Sequence, residues 1–266
     1  MPLKSSNSPE ILFLGNCQIS RFQQFYSRFQ DKPTKRFSEF NSITPHFGEF
    51  DEEKSMRTLE TADIAVVQLI LSDYVFNREN ILSLRNGKDT IFVPYVYLPG
   101  FRRLEKVSSK GKPWIDGADV LLNAAKDIPP QKVLLNFQRG LIDGQNQKRF
   151  AESLDNLRTR ESNGSSVFIS DYIRNTYKSR LPCFSINHPT PHVLIELYNQ
   201  VAKIAGFDKV IDQNMSEYDM GRATLPAGTG ALSPYCVEAL GLQYSHDSHW
   251  FSKESSIANI VLKRLQ

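Results

Sequence analysis

Cysteine is scarce in this chain of 266 residues: there are three, Cys17, Cys183 and Cys236, widely spaced and without a C-x-x-C pair. That argues against a disulfide framework and a thiolate zinc site, and fits a reducing, cytoplasmic setting. Long apolar runs are missing too; none approaches the roughly 18–20 residues that cross a bilayer. The start, MPLKSSNSPE, is polar and carries no signal-peptide core. Charge of one sign is not in excess: 32 Lys and Arg against 29 Asp and Glu leave +3, too little to point to nucleic acid. A local basic patch for a phosphorylated ligand remains compatible with that balance. No G-x-x-x-x-G-K-[ST], G-x-G-x-x-G or G-x-S-x-G occurs, which removes the simplest ATP, NAD and α/β-hydrolase readings. No internal repeat or low-complexity tract occurs either.

What the chain does have is apolar runs of strand length. Residues 10–15 read as a buried strand, and ADIAVVQLIL (62–71) as a second covered on both faces. TIFVPYVY (90–97) reads as a third, with Pro94 near the sheet's rim. Helical periodicity appears from Ser20 to Phe29, with Ile19, Phe22, Phe25, Tyr26 and Phe29 on one face. It appears again from Asn146 to Arg160, and over HVLIELYNQVAKIA (192–205), closed by Gly206. CFSIN (183–187) reads as a short strand, with Thr190 as N-cap and Pro191 as first residue of the helix after it. Ser233–Leu240 and residues 254–265 read as two further helices. The stretch from Arg102 to Asp119, rich in Lys, Gly and Ser, reads as a loop or insertion near 100–120. Residues 1–9 read as a disordered lead-in, and 10–266 as one α/β domain. Strands alternating with helices predict a mostly parallel sheet with helices on both faces. Ligands of such sheets sit at the carboxyl ends of the strands, where Cys17 falls.

The candidate chemistry starts at Gly15-Asn16-Cys17-Gln18. Glycine after a strand permits a tight turn. The helix that follows offers unpaired N–H groups and a dipole that favours negative charge. A cysteine there is expected to have a lowered pKa, and the same N–H groups suit an oxyanion, with the Asn16 and Gln18 amides at the same rim. The alternative is a small buried residue in a strand–helix turn. Asn187-His188-Pro189 ends the short strand at 183–187, which puts His188 where a general base belongs or makes it a turn-fixing histidine. His188 and His192 are four apart, but Pro189 and Pro191 keep them from sharing a helix face, and His192 reads as a first-turn residue. His246, Asp247 and His249 in SHDSHW could supply a base or, more cheaply, form a polar loop; His46 is isolated. Asp171 could orient a histidine or start a helix. Arg21, Arg102, Arg103, Lys110 and Lys112 are the basic candidates for a phosphorylated ligand, with a solvated loop face as the alternative. No metal site is expected.

LFLGNCQ, DIAVVQLI, SDYI, LPCFSINHPTPHVLIEL and LSPYCVEALGLQY occur in this order. Together they resemble the WcbI family of bacterial polysaccharide-biosynthesis proteins, from about residue 10 to about residue 245. The resemblance implies an SGNH-hydrolase-like three-layer fold in which Cys17 takes the place of the serine after the first strand. It implies coenzyme A binding and acetyl-CoA-dependent O-acetylation of a sugar in capsular or surface polysaccharide. The matching positions are Gly15, Asn16, Cys17, Gln18, Asn187, His188 and Pro189. The Asp-x-x-His segment of SGNH enzymes has no counterpart beyond HDSH at 246–249, so His188, His246 and His249 all stay open as the base. A hydrolase using the same cysteine and histidine, and a non-catalytic coenzyme A- or sugar-binding subunit of a polysaccharide assembly complex, are the rival expectations.

Overall fold

The computed structural model describes residues 10–30, 41–42, 52–69, 76–98, 105–109, 112–116, 118–139, 141, 146–185, 187–213 and 234–244. These gather in two compact units. The described residues of Met1–Tyr95, Arg158–Ile169 and Pro191–Leu225 form the first, and those of Val96–Leu157, Ser170–Thr190 and Pro226–Gln266 the second.

In the first unit, β1 (Ile11–Gly15), β2 (Asn41–Ser42), β3 (Ile64–Leu69) and β4 (Thr90–Pro94) form a parallel sheet in the order β2-β1-β3-β4. Phe13 lies opposite Val66, and Val66 opposite Ile91. Alternate residues face opposite ways. Leu12, Leu14, Ala65, Val67 and Phe92 cluster with Leu59, Ala62 and Ile81, which belong to or flank helices α2 (Glu52–Thr61) and α3 (Arg78–Arg85). On the opposite face Phe13 meets Tyr26 of α1 (Cys17–Phe29), ring centroids 6.0 Å apart. Tyr198 of α8 (Pro191–Ala205) then packs edge-on against Phe22 and Phe25, at 5.9 and 5.6 Å. Apolar side chains on both faces explain why the strands are unbroken apolar runs, and the parallel sheet has helices on both sides, as predicted. The α8 helix stops where expected, at Gly206, whose φ of 68° suits glycine.

The second unit holds α4 (Ala118–Ala124), α5 (Pro130–Gln138), α7 (Ser170–Thr176) and α9 (Pro234–Leu240), with the part of α6 (Asn146–Ser162) up to Leu157. The stretch read as a loop from Arg102 to Asp119 contains an antiparallel ribbon, β5 (Glu105–Ser109) with β6 (Lys112–Asp116), in which Val107 faces Trp114. Neither EKVSS nor KPWID is an unbroken apolar run, so the sequence reads as loop. The register sets Ser109 opposite Lys112. β7 (Cys183–Ser185) pairs with β8 (His188–Pro189). Helix α8 begins at Pro191, as expected, and Thr190 just before it donates its hydroxyl to the Leu181 carbonyl at 2.6 Å.

Two constraints fix the first unit. Arg85, 1% exposed, donates to the carbonyls of Leu59 (2.7 Å), Ala62 (2.5 Å), Asp63 (2.9 Å) and Asp89 (2.7 Å), and to Thr90 Oγ1 (3.1 Å). It ties the end of α2 to the starts of β3 and β4, and its charge opposes the negative end of the α2 dipole. Burial lowers its pKa, while Asp89 and Asp63 act the other way. The second constraint is Gly15. A Cβ there would stand 2.5 Å from Ile19 Cγ1 and 2.8 Å from Gln68 Cβ.

Arg85→Met removes the guanidinium from four carbonyls, of which those of Leu59 and Ala62 are buried. Urea titration is expected to show a loss of about 3 kcal/mol or more, with Arg85→Lys losing less because its ammonium still donates to some of the acceptors. Gly15→Ala forces β3 and α1 apart and is expected to cost about 1–3 kcal/mol in the same titration.

Candidate active site

The end of β1 and the start of α1 build the site. After Gly15 the chain extends through Asn16 (φ −91°, ψ −163°), the N-cap of α1. Its Oδ1 accepts from the Gln18 N–H at 2.8 Å, and its carbonyl accepts from the Ile19 N–H at 3.0 Å. Asn16 fills this role because its short side chain reaches back to the orphan amides of the first turn. Cys17 is thus the first residue of the helix and half-buried. Ser20 Oγ donates to the Cys17 carbonyl at 2.7 Å. Arg21, one turn on and buried, donates from its guanidinium to Gln24 Oε1 at 2.6 Å.

The expectation of a lowered thiol pKa is overturned. Burial pushes the Cys17 thiol up from its ordinary value; the Arg21 charge and the backbone amides of Cys17 and Gln18 pull it down but do not win. The helix end does favour the thiolate, as the sequence suggests. Desolvation is the larger effect because the turn packs against β3, where Asn16, Gln18 and Gln68 are all buried.

Of the residues singled out from sequence, Gly15, Asn16, Cys17, Gln18 and Arg21 come together at this turn. Asn187 and half-buried His188 lie in the second unit, His188 in β8 opposite Ser185. Asp171 is exposed in the first turn of α7. His192 is half-buried in the first turn of α8. Lys112 opens β6. His46, Arg102, Arg103, Lys110, His246, Asp247 and His249 lie outside the described residues, as do the helix expected at 254–265 and residues 1–9. Among the described residues no three His, Cys, Asp or Glu side chains gather as a metal site would require, and no helix is long and apolar enough to cross a membrane.

Sequence reasoning passed over Gln68. It is buried in β3, accepts from the Asn16 N–H (3.3 Å) and donates to Gln18 Oε1 (2.9 Å). Its signal was present: one amide inside the otherwise apolar run IAVVQLI.

The family model described as polysaccharide biosynthesis enzyme WcbI matches residues 10–210. A solved structure of WcbI, called a novel polysaccharide biosynthesis enzyme, is similar with a TM-score of 0.61 at 16% identity, over 96% of this chain and 95% of that one. It is described as the native protein without a disulfide bond between coenzyme A and one of its cysteines. At that identity the likeness speaks for the fold. No curated protein matches the sequence. With the family match running from the first residue of the described core to the end of α8 and beyond, the chain belongs to the WcbI family of polysaccharide biosynthesis enzymes.

Proposed function

We propose that the chain is an acyl-CoA-dependent acetyltransferase acting on a sugar hydroxyl in capsular or surface polysaccharide biosynthesis. The observation that carries this reading is the position of Cys17. It is a half-buried thiol at the first residue of a helix, with the amides of Cys17 and Gln18 and the Arg21 charge all favouring its anion. The description of the solved WcbI structure, which names coenzyme A and a cysteine together, supports the same assignment. The parallel sheet with Cys17 directly after β1 fits an SGNH-like arrangement with cysteine in the serine's place.

In this reading His188 takes the Cys17 proton, and the sulfur attacks the thioester carbonyl carbon. The helix-end amides hold the oxyanion. The bond to the coenzyme sulfur breaks, and the coenzyme leaves as its thiol with the proton from His188. One thioester replaces another, so the step is close to isoenergetic. His188 then takes the sugar hydroxyl proton as that oxygen attacks the acyl carbon, and the proton passes to the departing Cys17 sulfur. Asn16 and Gln18 flank Cys17, and Asn187 precedes His188. Asp171, His246 and His249 are the candidates to orient or replace His188. Arg21, Arg102, Arg103, Lys110 and Lys112 are assigned to the coenzyme's phosphates. The acceptor is a sugar or polysaccharide, met on the cytoplasmic side and in association with an assembly complex.

Labelled acetyl-CoA offered with a panel of sugars tests this. Labelled sugar is expected to form, and Cys17→Ala to lower its formation roughly a thousandfold or more. A loss under about tenfold would mean that Cys17 lines the site while a histidine activates the sugar directly. Acetate release regardless of sugar would make the protein a hydrolase, and neither product would overturn the reading.

The raised thiol pKa sets the pH dependence. A thiol held protonated by burial yields thiolate only as pH rises through the raised value, so alkylation of Cys17 is expected to climb later than for an ordinary thiol. Arg21→Gln removes a charge that lowers this pKa and is expected to move the iodoacetamide profile to higher pH. An unmoved profile would contradict the assignment of Arg21 to the thiol.

A further inference from the structure

We propose that Gln68 is a positioning residue for Cys17, gripping the residues on both sides of it. The inference rests on the reading of Cys17 as the acyl-accepting thiol. Gln68 is 1% exposed in a strand whose other central residues are apolar, with Ala65, Val66 and Val67 all buried beside it. An apolar side chain would serve the core at that place without the cost of desolvating an amide. The amide is used at both ends instead. Its Oε1 accepts from the Asn16 backbone N–H at 3.3 Å, and its Nε2 donates to Gln18 Oε1 at 2.9 Å.

The polarity of this chain of bonds follows from its fixed ends. The Asn16 N–H can only donate, so the end of Gln68 beside it is oxygen. The Pro94 carbonyl can only accept, and it stands 3.5 Å from Nε2. Gln68 therefore presents N–H to Gln18, which must answer with its oxygen and turn its amino end away. Asn16 in turn holds the Gln18 N–H through its own Oδ1, at 2.8 Å. Cys17 sits between two residues that are each held twice over, once within the turn and once by β3. Gly15 completes the arrangement, because its missing Cβ lets Gln68 stand this close.

Such a clamp keeps the amides of Cys17 and Gln18 trained on the sulfur, where they favour the thiolate. Releasing it should cost thiolate. Iodoacetamide alkylation of the full chain across the thiol's titration range, read by peptide mass so that Cys183 and Cys236 do not count, reports this without any acyl donor. Arg21 is the charged group acting on the thiol, and it stays in place in every variant. Gln68→Met keeps the length and removes both hydrogen bonds. It is expected to retain its circular dichroism while the Cys17 profile moves to higher pH, with about tenfold less thiolate at a given pH.

Should Gln68→Met not fold, Gln68→Asn keeps a neutral amide but is one methylene too short to reach Asn16 and Gln18 together, and it is expected to move the profile the same way. A folded variant of either kind with the wild-type profile, or one shifted to lower pH, overturns the proposal. Failure of acyl transfer with a shifted profile would instead sink the reading of Cys17 and leave the clamp standing.

Discussion

A Cβ at Gly15 would stand 2.5 Å from Ile19 and 2.8 Å from Gln68, so the end of β1, the first turn of α1 and the end of β3 meet where only a hydrogen fits. The rest of the site follows from that contact. With Gln68 this close, its amide reaches Asn16 and Gln18. With Asn16 held extended, its side chain caps α1 and the helix begins at Cys17 itself. A bulkier residue at Gly15 would push β3 away and loosen the cap, the clamp and the thiol's surroundings together. At the other end of the sheet Arg85 plays the complementary part, gathering carbonyls from the segments that lead into β3 and β4.

The same tight junction produces the conflict that governs the thiol. Close packing aligns helix-end amides with Cys17 and sets Arg21 one turn away, and both favour the anion. It also removes water, which disfavours the anion more. The thiol is thereby held in reserve as its neutral form, and needs a base to become a nucleophile. That requirement gives the histidine in the proposed cycle a role in the first half of the reaction as well as the second.

The three longer strands of the sheet were legible because burial on both faces leaves an unbroken apolar signature, and ILFLG, IAVVQL and TIFVP each carry it. The α8 helix was legible because eight of its fifteen residues are buried at helical spacing. By contrast α2, EEKSMRTLET, shows the sheet little more than Met56 and Leu59, too few apolar positions to declare a period. The β5–β6 ribbon was hidden for the related reason that neither EKVSS nor KPWID is an unbroken apolar run. At the site, the GNCQ turn announced its geometry through a glycine set between an apolar run and a helical period, which are local features. Gln68 and the net direction of the Cys17 pKa depend on what approaches from fifty residues away, and periodicity carries no such information. The one hint was a polar residue where the strand pattern had no use for it.

The central claim is that Cys17 carries the acyl group, and intact-mass measurement after mixing with acetyl-CoA addresses it most directly. The account predicts one added acetyl group in the wild-type chain, mapped to the peptide holding Cys17 and missing from Cys17→Ala. The same adduct on Cys17→Ala, or wild-type chain that transfers acetyl to a sugar while never accumulating an adduct even without acceptor, would contradict it.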